Sequence, residues 1–345
     1  GPQDTPMTLI SAFISGCAGP ALSEAERQFF IKTNPWGLIL FRRNCETPDQ
    51  LKALTDAFRA AVGRKNAPVF IDQEGGRVQR LGPPNNAWRR YPPARAYGAL
   101  YTENPLAALR TARHVGRMMA QDLIASGITA NCVPVLDVPQ PDAHEIIGSR
   151  AYSNRIGQIM SLARAHAAGF VDGGVMPVMK HIPGHGRARA DSHMELPVVS
   201  ASRADLEAVD FPPFAAMADA PMAMTAHVVY TDLDPDNPAT LSRTVISDII
   251  RRQIGFGGLL MTDDLSMKAL SGSYAEKTRR ALDAGCDVVL HCNGEMAEMQ
   301  EVAAAAGALR GESLQRARAA LRIQRRPQPF DEAVALADYE MIVSR

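Results

Sequence analysis

The amino-acid sequence predicts an α/β protein built as a single (β/α)₈ TIM-like barrel. Eight short apolar or β-branched runs recur along the 345 residues, amphipathic stretches separate most of them, and ionisable residues gather where the runs end. Runs that are apolar throughout are typical of parallel strands buried on both faces, and polar strand ends are where such barrels bind ligands. An open, doubly wound sheet would place ligands at the same strand ends and is the alternative.

The predicted strands and helices alternate along the chain. In order, the eight strand-like runs are LISAFIS, WGLILF, APVFIDQ, ITANCVPVLDV, VMPVMKH, PMAMTAHVVY, GGLLMTDD and CDVVLHC. The stretches TPDQLKALTDAFRAAVG and RTARHVGRMMAQDLIASG repeat apolar residues every three or four positions and end in glycine, which indicates amphipathic helices. The tail from about ESLQRARAALRIQRRP is predicted to be a final packing helix rather than a second domain. We therefore expect one domain over residues 7–345 and interpret residues 1–6 as an expression remnant.

The composition limits the classes of partner and compartment. Lys plus Arg and Asp plus Glu number 37 each, so no net basic field attracts nucleic acid or acidic lipid. The five cysteines are scattered, mostly within apolar runs, which predicts buried free thiols in a reducing compartment. No basic leader precedes a long apolar core, and no run reaches about 18 apolar residues. These features predict a cytoplasmic protein with no nucleic-acid or membrane partner.

The loop KHIPGHGRARADSH, residues 180–193, carries three of the eight histidines. His181 and His185 have a zinc-like spacing, but the intervening IPG prevents the helix that would place both on one face, so a metal site is disfavoured. Asp191 and His193 are two residues apart, close enough for the carboxylate to orient the imidazole. A purely structural loop is the alternative, and a mobile acid/base dyad is the sharper hypothesis.

Two carboxylate positions also follow predicted strands. Asp72, in VFIDQEGGRVQR, precedes two glycines and could accept hydrogen bonds from sugar hydroxyls, with Arg80 reaching the same ligand. Its alternative role is to cap the next helix. Asp263 and Asp264 end the run GLLMTDD. Because adjacent strand residues point to opposite faces, only one of them can face the barrel mouth, and either could instead cap a helix.

Five motifs together resemble a known family. In order along the chain, the motifs are GLILFRRN, IDQEGGRVQR, IGSRAYS, KHIPGHGRARADSH and MTDDLSM. In the order and spacing of these motifs, the chain resembles the family 3 glycoside hydrolases, and among them the bacterial β-N-acetylglucosaminidases of cell-wall recycling. The resemblance spans roughly residues 36–295. It implies that residues 7–345 form one catalytic barrel, since the chain is too short for the second domain of larger relatives.

The resemblance also implies roles for individual residues. Asp263 matches the catalytic nucleophile, His193 the acid/base, and Asp191 the dyad partner of that histidine. Further positions match residues that hold the N-acetylglucosamine: Asp72, Arg80, Arg150, Lys180 and His181. No metal and no organic cofactor is implied.

The implied function is that of a retaining exo-β-N-acetylglucosaminidase, a type of β-N-acetylhexosaminidase. Its expected partner is a small-molecule N-acetylglucosaminide or muropeptide, such as N-acetylglucosamine linked to 1,6-anhydro-N-acetylmuramic acid, met during peptidoglycan recycling in the cytoplasm. Two alternatives stay open at this point. One is a phosphorylase that uses the same residues, and the other is a non-catalytic sugar-binding or metal-dependent barrel.

Overall fold

The computed structural model describes residues 9–143, 145, 147–191 and 193–345. Eight parallel strands close into a barrel in which each strand pairs with its neighbours along the chain. They are β1 (Ser11–Ser15), β2 (Pro35–Leu40), β3 (Val69–Ile71), β4 (Ala130–Asn131), β5 (Met176–Ile182), β6 (Met222–Thr225), β7 (Leu259–Asp264) and β8 (Val288–His291). Closure between β1 and β8 aligns Phe13 with Val289. The predicted (β/α)₈ barrel is confirmed, and the open doubly wound sheet is excluded.

Helices follow the strands and surround the barrel. They are α1 (Glu24–Thr33), α2 (Pro48–Val62), α3 (Ala94–Glu103), α4 (Pro105–Ala125), α5 (Ile156–Asp172), α6 (Pro212–Ala216), α7 (Val245–Gln253), α8 (Tyr274–Ala284), α9 (Met296–Ala306), α10 (Gly311–Ile323) and α11 (Glu332–Val343). Shorter helical turns lie at Arg42–Asn44, Gly148–Arg150, Arg203–Asp205, Leu206–Asp210 and Ala239–Leu241. The two quoted helical stretches correspond to α2 and α4.

Local sequence signals explain where these two helices begin and end. Thr47 and Gln50 form a reciprocal capping box at the start of α2, and Gly63 ends that helix with a φ of 68°. Helix α4 begins before the predicted stretch because the Asn104 side chain accepts the N–H of Ala107 and a proline occupies the first helical position.

The strand cores explain how the barrel is stabilised and why its mouth is polar. Every residue of β2 and of β5 is buried. Most of these side chains are apolar and fill a packed interior, as parallel barrel strands require. Lys180, near the end of β5, is buried as well, and a buried ammonium requires charged partners.

Two histidines on helices bond side chains within the helical layer. His166 is buried on α5, and its Nδ1 lies 2.6 Å from the Tyr152 hydroxyl. His114 on α4 bonds Asp338 of α11 at 2.6 Å. The predicted tail helix corresponds to α10, and α11 packs beyond it on α4. All five cysteines are buried and free, as predicted.

Within the described residues, no helix combines the length and the apolar character needed to cross a bilayer.

Candidate active site

A pocket opens at the carboxyl ends of the strands and encloses about 720 Å³, including its open mouth. The predicted site residues that line it are Asp72, Arg80, Arg150, Lys180, His181, His193 and Asp263. Asp191, the remaining predicted residue, contacts His193. Barrel closure therefore gathers these residues from distant parts of the sequence.

Lys180 is the centre of a buried ionic cluster on one side of the pocket. Its Nζ donates to Asp72 Oδ1 at 3.0 Å and lies 2.8 Å from Glu74 Oε2. Arg80 Nη2 lies 3.6 Å from the other oxygen of Asp72. Burial by itself would raise the pKa of Asp72, but Lys180 and Arg80 hold that pKa below its ordinary value. Burial would lower the pKa of Lys180, but Asp72 and Glu74 raise it, so the cluster is ionic at neutral pH.

Glu74 also holds Arg150. The arginine ends the turn Gly148–Arg150, and its Nε and Nη2 donate to the two Glu74 oxygens at 2.9 and 2.8 Å. This bidentate geometry fixes the plane of the guanidinium. Burial would raise the pKa of Glu74, but Arg150 and Lys180 lower it to about 2. The Glu74 carboxylate thus orients two of the cations that line the pocket.

His181 connects two carboxylates. Its Nδ1 lies 2.8 Å from Asp137 Oδ2, and its Nε2 lies 3.9 Å from Asp263 Oδ2. Asp137 is fully buried, and its pKa is lowered because His181 outweighs the effect of burial. Lys180 and His181 are adjacent in β5, yet both residues line the pocket. Simple strand alternation would have placed them on opposite faces.

Asp263 and Asp264 differ in how many of their oxygens are used by the protein. Asp263 Oδ1 accepts the N–H of Asp264 at 2.8 Å, while its Oδ2 points toward His181. Burial would raise the pKa of Asp263, but His227 and His181 lower it, so the carboxylate is ionised. An ionised, incompletely engaged carboxylate beside an open pocket is suited to nucleophilic attack.

Asp264 is tied to the scaffold instead. Its Oδ2 accepts the Ser266 hydroxyl at 2.6 Å, and its Oδ1 accepts the N–H groups of Ser266 and Cys292 at 3.0 and 3.2 Å. His227 Nε2 contacts the carbonyl of Asp264 at 2.9 Å. Atoms of Asp264 border the pocket, but its carboxylate oxygens are occupied by neighbouring loops. The Asp264 carboxylate therefore bonds the scaffold, whereas Asp263 Oδ2 points toward His181.

The predicted dyad lies on the loop that follows β5. Asp191 Oδ1 accepts both the backbone N–H and the Nδ1–H of His193, each at 2.9 Å. The His193 side chain is 62% exposed and borders the pocket. Nearer the root of the loop, Arg187 Nε donates to the buried Asp210 at 2.8 Å. The contact between Asp191 and His193 therefore lies at the pocket rim.

The other histidine of the loop has no such exposure. His185 is 3% exposed, and burial together with the nearby His181 lowers its pKa to about 4. The two rings meet edge to face with their centroids 5.6 Å apart. Across the ranges that the structure describes, no group of three or more His, Cys, Asp or Glu side chains is arranged to hold a metal ion.

Comparison with known proteins shows the family of this chain. The family model of the glycosyl hydrolase family 3 N terminal domain matches residues 8–325. The chain belongs to glycoside hydrolase family 3. It is 39% identical over 289 residues to the Beta-hexosaminidase of Alkalilimnicola ehrlichii, covering 83% of this chain and 81% of that protein. It is 40% identical over 280 residues to the Beta-hexosaminidase of Chromobacterium violaceum, covering 80% of this chain and 77% of that protein.

Solved structures agree with this family 3 membership. NagZ from Neisseria gonorrhoeae, in complex with N-trifluoroacetyl-D-glucosamine, matches with a TM-score of 0.86 at 31% identity, covering 98% of this chain and 99% of that one. The resemblance indicated by the five sequence motifs is thereby confirmed, together with the barrel fold. The roles of individual residues stay predictions.

Two buried residues that contact the pocket-lining side chains, without lining the pocket themselves, received no role from the sequence. Glu74 stands two positions after Asp72 in IDQEGGRVQR, and in an extended segment such residues point to the same side. That spacing could have indicated its place beside Asp72. Asp137 stands in the run ITANCVPVLDV, where it counted only as one of the polar strand ends. Its contact with His181 could not be read from spacing, because 44 residues separate the two.

Proposed function

We propose that this chain is a retaining β-N-acetylglucosaminidase that uses Asp263 as nucleophile and His193 as general acid and base. The observation that carries the proposal is that an ionised carboxylate and a separate carboxylate–imidazole pair stand at one pocket. Asp263 is ionised and lies beside the buried cluster, while the Asp191–His193 pair stands at the rim. The names of the relatives and the family 3 membership support the same reaction class.

The proposed chemistry follows from these two groups. Asp263 attacks the anomeric carbon and forms a glycosyl ester as the bond to the leaving oxygen breaks, and His193 gives that oxygen a proton. His193 then accepts a proton from water, whose oxygen attacks the anomeric carbon and releases Asp263. Two displacements at one carbon retain the configuration. Asp191 would orient the imidazole and stabilise its charged form.

The ionic cluster is proposed to hold the sugar ring. Asp72 can accept hydrogen bonds from adjacent hydroxyls, and the outer N–H groups of Arg80, Arg150 and Lys180 can donate to ring substituents. Because Glu74 and His181 fix neighbouring groups in place, little rearrangement would be needed on binding. The N-trifluoroacetyl-D-glucosamine bound by NagZ from Neisseria gonorrhoeae supports an N-acylated amino sugar as the occupant.

The finer proposal concerns the substrate and the direction of attack. We propose cleavage of the terminal N-acetylglucosamine of a muropeptide fragment, such as the disaccharide with 1,6-anhydro-N-acetylmuramic acid, during peptidoglycan recycling. A loop folded over the terminal ring would leave no room for a preceding sugar, so cleavage should proceed from one end. A cytoplasmic site of action fits the five free cysteines, because reducing compartments keep thiols unpaired.

Phosphorolysis is the nearest alternative, because an imidazole lacks the charge by which a carboxylate acid/base would repel phosphate. The cations that line the pocket are Arg80, Arg150 and Lys180, and each is already matched by Asp72 or Glu74. This pairing favours water as the acceptor. Comparing the products formed in phosphate and phosphate-free buffer separates the two reactions: a sugar 1-phosphate as the main product would contradict hydrolysis.

The test of the substrate proposal uses two substrates. N-acetylchitohexaose should lose single N-acetylglucosamine units from one end. Mass spectrometry of early time points identifies the products. The early release of internal dimers or trimers would contradict the exo direction. The anhydro-disaccharide should be cleaved as well, and failure to cleave it would contradict the recycling role while leaving the glycosidase activity intact.

A further inference from the structure

Asp137 contacts the proposed machinery without lining the pocket. It is fully buried, and its carboxylate accepts the N–H of His181 at 3.1 Å, the N–H of His185 at 2.8 Å and the Nδ1–H of His181 at 2.8 Å. Both backbone bonds go to Oδ1, and the imidazole bond goes to Oδ2. One side chain thus fixes the end of β5 and the beginning of the loop that carries His193.

The proton between Asp137 and His181 has only one possible position. An ionised carboxylate is solely an acceptor, so the ring nitrogen that faces it must carry the hydrogen. The hydrogen on Nδ1 directs the opposite edge of the ring, with Nε2, toward Asp263 Oδ2 at 3.9 Å. A partner on one ring nitrogen commonly decides what the other nitrogen can do.

We infer that Asp137 is a positioning residue, which holds the proton on Nδ1 of His181 and thereby sets the ring edge that faces the nucleophile Asp263. This inference rests on the proposed function of Asp263. Asp137 neither lines the pocket nor contacts a reacting atom, so it acts through His181 and through the backbone of the loop.

The same carboxylate also links this effect to the acid/base loop. His185 donates its backbone N–H to Asp137 one residue after Gly184, near the root of that loop. Gly186 packs closely against the segment that carries Asp137. A Cβ atom at this glycine would lie 1.9 Å from the carbonyl oxygen of Val138. The loop root and the Asp137 segment are therefore held together with no room for a side chain between them.

Asp137→Asn is a sharp test because it can preserve the backbone contacts. The amide oxygen can keep the Oδ1 position and accept both N–H groups, while the NH₂ group replaces Oδ2. The NH₂ group donates, so Nδ1 of His181 must lose its hydrogen and the neutral ring must carry it on Nε2, facing Asp263. The substitution changes the tautomer while keeping the volume.

The experiment measures the ring and the reaction separately in the full chain. ¹⁵N-histidine NMR, assigned with a His181→Gln variant, should show a protonated Nδ1 in the wild type and a bare Nδ1 in Asp137→Asn. The rate at which a 5-fluoro glycosyl trap labels Asp263 should fall about 10- to 100-fold, the effect found when outer partners of metal-bound histidines are changed. The loss should appear in the maximal labelling rate more than in the trap concentration that gives half of it.

Asp287→Asn is the matched control. Asp287 is also a buried aspartate, but it pairs with Arg251 and Arg316 away from the pocket. The Asp287→Asn substitution should lower the melting temperature. It should not change the labelling rate at a temperature where the protein is folded. An unchanged Nδ1 signal or an unchanged labelling rate in folded Asp137→Asn would overturn the inference. If the wild type neither labels nor turns over, the proposed function fails instead, and the NMR result still reports whether Asp137 sets the tautomer.

Discussion

Replacing Glu74 by glutamine should destabilise the protein by an amount that depends on pH. Glu74 is 4% exposed, and its two oxygens receive Arg150 and Lys180. Glutamine keeps the volume but has no charge, and its NH₂ group would face one of the cations. The substitution therefore leaves the buried Lys180 and the partly buried Arg150 with one carboxylate, Asp72, between them.

The magnitude follows from the pKa of the carboxyl group. Arg150 and Lys180, acting against burial, lower this pKa from 4.5 to about 2. Each unit corresponds to about 1.4 kcal/mol, so the folded state gains about 3 kcal/mol from the ionised form at pH 7. Removing one partner of a buried ion pair costs about 3 to 5 kcal/mol, which agrees with this value. We expect Glu74→Gln to lower the free energy of unfolding by about 3 kcal/mol at pH 7.

The pH dependence gives the decisive measurement. A carboxyl whose pKa is depressed on folding stabilises the protein above its unfolded pKa and loses this effect as the pH falls toward its folded pKa. The difference between wild type and variant should stay constant above about pH 5. It should shrink to about 1 kcal/mol at pH 3, between the two pKa values. Urea unfolding at pH 7 and at pH 3, followed by circular dichroism, provides both differences.

A surface glutamate supplies the control for this measurement. Glu103 pairs with Arg345 at 2.7 Å, but its side chain is 62% exposed. Glu103→Gln should change the free energy of unfolding by less than about 1 kcal/mol at either pH. A Glu74→Gln difference that is equally small at pH 7, or that is as large at pH 3 as at pH 7, would refute the idea that an ionised Glu74 holds the cluster together.

The remaining predictions concern the proposed chemistry. Asp263→Asn should lose nearly all turnover yet still bind the sugar, because the amide cannot form the glycosyl ester. Peptide mass spectrometry after 5-fluoro glycosyl trapping of the wild type should find the label on Asp263. A label on Asp264 would show that the wrong aspartate was chosen. His193→Ala should slow substrates with poor leaving groups by about 10²- to 10⁴-fold but affect glycosylation by an activated aryl glycoside far less, as measured by kcat/KM on both, and Asp191→Ala should follow the same pattern. Equal losses on both kinds of substrate would assign His193 to sugar binding or to the fold.

The sequence by itself determined the barrel and most of the ionisable residues that line the pocket. Strand burial is a local property, since a run such as WGLILF can be satisfied only where both of its faces are covered. Polar residues at the ends of such runs must then gather at one end of the barrel, because all eight strands are parallel. For this reason Asp72 and the pair Asp263 and Asp264 could be named before any contact was known. The spacing of Asp191 and His193 indicated the dyad, whereas only the family motifs supplied Arg150, Lys180 and His181 and chose Asp263 over Asp264.

Tertiary structure alone decided which charges meet. The Asp72–Lys180 bond joins residues 108 positions apart, and the Glu74–Arg150 bond spans 76. Whether a buried carboxylate orients a cation or a histidine depends on the angle and distance at which barrel closure presents the partner. Spacing along the chain does not encode that geometry between distant segments. The roles of Glu74 and Asp137 therefore appeared only in the fold, since an acidic residue gains its function from the partner that faces it.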